Sequence, residues 1–276
     1  MTTIQEKAER FHQLHSGPRP LLLANAWDGA SARIVEDAGA EAIATTSAGV
    51  AWTLGAADGD QLRRELAIEA VARIAGLVGV PVTADIERGF AETAKGVGET
   101  VSAIIAAGAV GVNIEDSTSS AESPLRTIEE QAERLSAARA AAEASGVNLY
   151  INARTDTYLR AVGEESTRFD ATVERARAYL AAGASGVFVP GVVDLATVGA
   201  LSEAIDGPLN IMVGPGAPSA KELGDAGAAR LSLGAAIAMA AYALTATSAR
   251  EFLDEGTYSR LSHDLDFMSL NGLLAK

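Results

Sequence analysis

The sequence contains no cysteine. Disulfides, thiolate metal sites and thiol catalysis are therefore excluded. Histidine is scarce: His12, His15 and His263 are the only three, and they fall outside the motifs described below. They read as surface or packing residues. Basic residues are in the minority, 22 Lys and Arg against 36 Asp and Glu, for a formal net charge of -14. That balance argues against nucleic acid or an anionic membrane as partner. An anionic substrate would need local positive charge from a metal or an arginine. Long hydrophobic runs are missing too. The Ala-rich stretch Leu233 to Ala246 is too short and too weakly apolar to span a bilayer. The opening MTTIQEKAERFHQLHSG is polar and helical in character, unlike a signal sequence. These absences predict a soluble cytoplasmic protein.

What is present is a repeated unit. Of the 276 residues, 48% are hydrophobic, so a sizeable core can form and disorder is not expected. A leading helix over Thr3 to His15 stops at Gly17, Pro18 and Pro20. Strands are expected at 21–27, 42–49, 80–87, 111–117, 148–155, 186–190, 209–214 and 230–234. Helices are expected between them, with Asp28 as the cap of the first. The segment Val50 to Asp60 reads as an irregular loop. The helix ends share one signature, EDAGAEAI, IAAGAVGV, LAAGASGV and LGDAGAARL, with glycine closing the helix before an apolar strand. Eight strands alternating with helices predict a (β/α)8 TIM-type barrel rather than an open doubly wound sheet. No GxGxxG follows the first strand, which weakens a dinucleotide fold. No linker marks a second domain, so residues 1–276 read as one barrel domain, with 235–276 as a C-terminal helical extension.

The chain is organised around VPVTADIERGF, Val80 to Phe90. In a strand alternate residues share a face, which sets Val82, Ala84 and Ile86 against Thr83, Asp85 and Glu87. GVNIEDS repeats the pattern with Asn113 and Glu115, and LYINARTD with Asn152 and Arg154. If the polar faces share one cavity, three acids and one arginine surround a common point at the C-terminal strand ends, where barrels place active sites. A hard cation such as Mg²⁺ would relieve the repulsion of the acids. A bland reading also stands: Glu87 ends the strand in solvent and Asp85 caps a turn. Likewise Arg154 could form a structural salt bridge with Asp156, and Asp58 could cap a loop.

Four stretches carry a resemblance: TTSAGVAWTLGAAD (Thr45 to Asp58), ADIERGF (Ala84 to Phe90), AGAVGVNIEDS (Ala107 to Ser117) and INARTD (Ile151 to Asp156). In this order and at these spacings the chain resembles the isocitrate lyase / phosphoenolpyruvate mutase superfamily. The resemblance implies a (β/α)8 barrel, usually tetrameric, with a C-terminal helix exchanged between subunits. A homotetramer or dimer is thus expected. It implies Mg²⁺, with Mn²⁺ as a substitute, bound most directly by Asp85 and largely through water by Asp58, Glu87 and Glu115. It implies that Thr46, Ser47 and Ala48 hold a substrate carboxylate and that Arg154 pairs with substrate. Arg154 and Asp58 are the candidate catalytic residues. The resemblance further implies a small anionic 2-oxo or 2-hydroxy acid as substrate, cleaved or formed at a C–C or P–C bond through a pyruvate enolate-like intermediate.

The departures from the family pattern narrow the chemistry. Glu87 stands where the usual metal motif has Asp. The lyase branch carries a Lys-Lys/Arg-Cys-Gly-His loop where this chain reads STSSAESPLRT, Ser117 to Thr127. Pro190-Gly191 replaces the lyase Glu, and equally the mutase His and Ser, at the sixth strand. A serine hydroxyl or water from Ser117 to Ser120 could serve as the acid, or the segment could be a mobile polar loop. Trp52 reads equally as pocket lining or interface aromatic. Two further readings remain: a non-catalytic keto-acid-binding pseudoenzyme of the same fold, and a class II aldolase-type enzyme, which the lack of histidine in the motifs opposes.

Overall fold

The repeated helix–glycine–strand unit builds a closed parallel sheet. The computed structural model describes residues 2–275. The chain opens with α1 (Ile4–Leu14), then β1 (Leu21–Leu23) and β2 (Asn25–Ala26), α2 (Gly29–Asp37), β3 (Ile43–Thr45), α3 (Ser47–Thr53), α4 (Arg64–Leu77) and β4 (Val82–Asp85). It continues through α5 (Ala94–Ala106), β5 (Gly111–Glu115), α6 (Ile128–Ala144), β6 (Tyr150–Arg154), α7 (Glu165–Ala181) and β7 (Gly186–Val189). The barrel ends with α8 (Leu195–Ala204), β8 (Leu209–Met212), α9 (Ala220–Asp225) and β9 (Ala228–Ser232). Two helices follow, α10 (Ala236–Glu255) and α11 (Phe267–Leu274), joined by a short 3-10 turn.

Each neighbouring pair of strands is parallel, and β1 pairs with β9 while β2 pairs with β3. β1 and β2 are two pieces of one stretch broken at Ala24, so the sheet returns to where it began. The nine short strands therefore form a (β/α)8 TIM-type barrel, as expected. The helix ends also follow the sequence. Gly108 and Gly183 sit at φ of 97° and 103°, a left-handed conformation that costs a residue with a Cβ far more than glycine. Asp28 caps α2 by accepting the Ser31 N–H at 2.7 Å.

The alternation sorts the strands into two environments. Val82, Ala84, Val112, Ile114, Ile151, Ala153, Val187 and Ile211 point outward to the helices and are buried there. Burying each valine or isoleucine of this set contributes about 1.5–3 kcal/mol. The inward faces are polar. Asn152 Nδ2 donates to Asn113 Oδ1 at 2.9 Å and to Asn210 Oδ1 at 3.0 Å, and Arg230 Nη2 donates to Asn113 Oδ1 at 3.2 Å. This layer fills the barrel beneath its C-terminal mouth. At the opposite end α1 closes the barrel with an aromatic group. His15 stacks on Tyr150 with centroids 3.8 Å apart, and Phe11 meets both rings edge-on. His15 is thus a packing residue.

Three local expectations are corrected. The strand expected over 42–49 stops at Thr45, and the segment Val50 to Asp60 is not an irregular loop throughout: Ser47–Thr53 is helical. Its small residues Ala48, Gly49 and Ala51 pack close to the barrel, where a Cβ on Gly49 would meet Trp27 and Thr46 at 2.7 and 2.8 Å. The central strand ends at Asp85, so alternation does not carry on to Glu87. Glu87 has φ of 49° and lies in a tight turn with Gly89 and Phe90, which share positive φ.

Candidate active site

The candidate residues gather at the C-terminal mouth, on the ends of β3, β4, β5 and β6 and the turns that follow. Glu115 and Arg154 are direct partners in the register of β5 and β6. Both side chains point inward, and Arg154 Nη1 meets Glu115 Oε2 at 2.8 Å. Asp156, just past the strand, takes the other edge of the same guanidinium through bonds of 2.6 Å from Nε and 2.9 Å from Nη2. Arg154 is thus the shared cation of two acids, and its guanidinium stands 5.7 Å from the centre of the Phe188 ring. Burial opposes its charge, but Glu115 and Asp156 outweigh burial and raise its affinity for the proton.

Asp85 sits one strand further round. Its amide N–H donates to Thr45 Oγ1 at 2.9 Å, which fixes the strand end. Its Oδ2 accepts from the Ser47 hydroxyl at 2.9 Å and from the Ser47 N–H at 3.3 Å. Among the described residues Oδ1 accepts no hydrogen bond. Burial pushes the Asp85 carboxyl up, Arg154 and Ser47 oppose the shift, and the charge of Asp58 adds to it. Thr46 and Ala48 are buried on either side of Ser47 at the start of α3.

Glu87 is buried and accepts the backbone N–H of Asp60. Burial pushes its carboxyl up to about 8; the Asp60 amide opposes this, and the charges of Asp60, Asp58 and Asp85 reinforce it. Its carbonyl receives the Glu115 N–H at 2.9 Å, so the turn stays tied to β5 although the strand has ended. Asp60 is held in turn by Arg88 Nε at 2.6 Å. Asp58 lies exposed at the rim, and its charge acts on both Asp85 and Glu87. Burial also pushes Glu115 up, against the pull of Arg154, while Ser117 donates to its Oε1.

The acids therefore share one electrostatic neighbourhood but do not close on one point. Among the described residues no three Asp, Glu, His or Cys side chains stand close enough to hold a metal ion directly. Glu115 is committed to Arg154 and Ser117, while Glu87 accepts the Asp60 amide and Asp85 accepts from Ser47, each through one oxygen only. The donor set suits a hard, oxygen-preferring cation. Among the described residues Asp85 Oδ1, Glu87 Oε1 and the Asp58 carboxylate oxygens accept no hydrogen bond and face this mouth as unused oxygen donors.

Sequence reasoning named Asp85, Glu87, Glu115, Asp58, Arg154 and Thr46 to Ala48, and the fold places all of them around this mouth. It named Asp156 only as a possible structural partner of Arg154. It missed Asp60, Arg88 and Asp116. Asp60 belongs to an irregular stretch with no period to read, and Asp116 follows Glu115 on the opposite face of the chain. The segment after β5 also differs from a free polar loop. Ser117 and Leu125 form an antiparallel bridge, the Thr118 N–H donates to the Pro124 carbonyl at 2.9 Å, and Arg160 Nη1 donates to the Thr118 carbonyl at 3.1 Å. Trp52 is partly exposed on α3 and packs edge-on against Tyr242 of α10, centroids 6.0 Å apart. No helix among the described residues is long and apolar enough to cross a membrane.

Known proteins match this chain over most of its length. An uncharacterized protein of Mycobacterium tuberculosis is 36% identical over 88% of this chain and 89% of its own. An oxaloacetate decarboxylase of Pseudomonas paraeruginosa is 33% identical over 81% of this chain and 75% of its own. The 2-methylisocitrate lyase of Escherichia coli is 29% identical over 75% of this chain and 70% of its own. Among solved structures, a presumed lyase/mutase of Burkholderia cenocepacia superposes with a TM-score of 0.92 at 34% identity, covering 99% of this chain and 97% of that one. The phosphoenolpyruvate phosphomutase family model matches residues 11–253. With the barrel, the four motifs and these relatives in agreement, the chain belongs to the phosphoenolpyruvate mutase family of the isocitrate lyase / phosphoenolpyruvate mutase superfamily.

Proposed function

We propose that the chain is a Mg²⁺-dependent enzyme that breaks or forms a C–C or P–C bond beside the carboxylate of a small 2-oxo or 2-hydroxy acid. The observation that carries this reading is Arg154: a guanidinium fixed by two carboxylates at the barrel mouth and close enough to Asp85 to oppose its protonation. Mg²⁺, or Mn²⁺ in its place, bound through Asp85 and by way of water to Asp58, Glu87 and Glu115, would supply Lewis-acid charge at the substrate's 2-oxygen.

The chain's own residues supply the rest. Thr46, Ser47 and Ala48 receive the substrate carboxylate at the first turn of α3. Arg154 stabilises the negative charge that develops when the neighbouring bond breaks, giving an enolate-like product. Its planar, permanently charged fork suits that task, and the two acids behind it keep the fork from turning. Asp58 at the rim completes the acid set. The exposed apolar side chains of α10 and α11 are the contacts of a homotetramer or dimer.

The substrate is a 2-oxo dicarboxylate such as oxaloacetate, or a phosphonate analogue of it, rather than a tricarboxylate. Cleaving isocitrate or methylisocitrate requires an acid for the departing carbanion and basic groups for the extra carboxylates. The chain has no thiol, and Ser117 to Ser123 contains no basic residue. A serine hydroxyl is a far weaker acid than a thiol. The test is a side-by-side assay with Mg²⁺ of oxaloacetate, phosphonopyruvate, isocitrate and methylisocitrate. Turnover confined to the smaller acids is expected, and robust cleavage of a tricarboxylate defeats the reading. A second reading has its own support: both edges of Arg154 are already occupied by acids and the segment after β5 lacks the lyase acid. Tight keto-acid binding without turnover of any of the four would identify a binding protein.

A further inference from the structure

Behind Arg154 and its two partner acids lies a third carboxylate, set back from the barrel mouth. Asp116 is fully buried, and both of its oxygens are used. Oδ1 accepts the backbone N–H of Asp156 at 3.0 Å. Oδ2 accepts from the Tyr179 hydroxyl at 2.8 Å and from Arg175 Nη1 at 3.2 Å, both on α7. The backbone repeats the connection, since the Asp116 N–H donates to the Arg154 carbonyl at 3.1 Å. Asp116 therefore holds the backbone on both sides of Thr155, at Arg154 and at Asp156.

The same residue is tied to the segment beyond β5. The Asp116 carbonyl accepts the Arg126 N–H at 2.8 Å, and Arg175 Nη1 also donates to the Arg126 carbonyl at 3.0 Å. Arg160 completes the ring, with Nε 3.7 Å from Asp156 Oδ2 and Nη1 donating to the Thr118 carbonyl. A carboxyl group at 0% exposure, facing an arginine, a phenol and a backbone N–H, is costly to bury unless each bond is made. For packing alone an apolar residue would serve. What this arrangement adds is direction. The Asp156 carboxylate can form its paired bonds to Arg154 only while its own backbone is held in place, and Asp116 is the group that holds it.

We propose that Asp116 is a positioning residue for Arg154, acting through Asp156 and anchored on α7 by Tyr179 and Arg175. It touches neither substrate nor metal. Its effect is to keep the guanidinium aimed at the incoming carboxylate, so that the orientation is already set when the ligand arrives. The inference rests on the reading of Arg154 as the partner of a substrate carboxylate.

A double-mutant cycle tests it, with calorimetric binding of oxalate in the presence of Mg²⁺ as the readout. Oxalate is used because its planar pair of carboxylates imitates a pyruvate enolate. Asp116→Asn keeps the volume and replaces one of the two acceptor oxygens with an N–H donor. In an otherwise unchanged protein it should weaken oxalate binding about ten-fold. In an Arg154→Ala background it should change binding less than two-fold, because the group it positions is gone. Equal losses in both backgrounds would overturn the proposal, as would a folded Asp116→Asn protein with unchanged affinity. If Asp116→Asn does not fold, Tyr179→Phe takes its place, with a smaller loss, about three-fold, that must also vanish without Arg154. If Arg154→Ala alone leaves oxalate binding intact, the assigned role of Arg154 fails first, and that outcome is distinct from failure of the relay.

Discussion

Arg154 and Asp156 are two residues apart and meet through two near-parallel hydrogen bonds, 2.6 and 2.9 Å long, at the end of β6. A paired guanidinium–carboxylate contact fixes the plane of the arginine as well as its position. Lysine cannot reproduce it. Arg154→Lys should therefore keep the fold and the charge yet lower turnover of the preferred acid about 100-fold, measured as kcat/KM with Mg²⁺. Arg154→Ala should also destabilise the protein by about 3 kcal/mol, since it leaves Glu115 and Asp156 without their cation. A Lys variant with native kcat/KM would remove Arg154 from the chemistry.

Asp85 Oδ1 is unbonded among the described residues and lies at the end of β4 beside Ser47, and Asp85 is expected to be the direct ligand. Calorimetry should show Mg²⁺ or Mn²⁺ binding to the intact protein and none to Asp85→Ala. Glu115→Gln should weaken binding by a smaller factor, since its contact runs through water. Metal affinity that survives Asp85→Ala would move the site elsewhere.

His15 makes stability depend on pH. Burial, with Arg230 close by, holds its imidazole at about 3, well below the usual 6.5. The folded protein keeps the ring neutral, whereas the unfolded chain takes up a proton below about pH 6.5. The stability tied to the neutral ring is thus present above 6.5 and is lost as pH falls toward 3. Urea unfolding at pH 7.0 and 5.5 should show the natural protein losing about 1 kcal/mol more over that interval than His15→Phe, which keeps an aromatic ring against Tyr150. Equal losses would mean that the ring titrates normally.

The tail after the barrel exposes apolar side chains that water does not favour. Leu253, Phe267 and Met268 are 79%, 78% and 74% exposed. Such a set on α10 and α11 is expected to meet another subunit. Deleting 251–276 should lower the assembly state in light scattering or make the protein insoluble. A natural protein that elutes and scatters as a monomer would contradict the expected oligomer.

Much of this arrangement was legible along the chain. Period-two alternation on β4, β5 and β6 already separates Val112 and Ile114 from Asn113 and Glu115, because a strand can bury an apolar face only by turning the other inward or to solvent. The recurrent glycine at helix ends sets the βα rhythm, since only glycine adopts that left-handed turn without strain. The acids and Arg154 at the strand ends follow from the same alternation. Glu87 does not. Its strand stops two residues earlier, and it enters the site through a left-handed turn that no period announces.

The barrel, the end of it that carries the acids, and the lack of thiol chemistry can be read along the chain, because these depend on local spacing and on which residue types are present. How the acids are used depends on contacts that form only in the closed barrel. Glu115 and Asp156 divide Arg154 between them, Ser47 holds one oxygen of Asp85, and Asp116 joins β5 to β6 and α7 from behind. Those pairings bring together side chains up to 63 residues apart, as between Asp116 and Tyr179. Charges in a low-dielectric mouth choose partners by distance and direction in space, and only the closed sheet sets both.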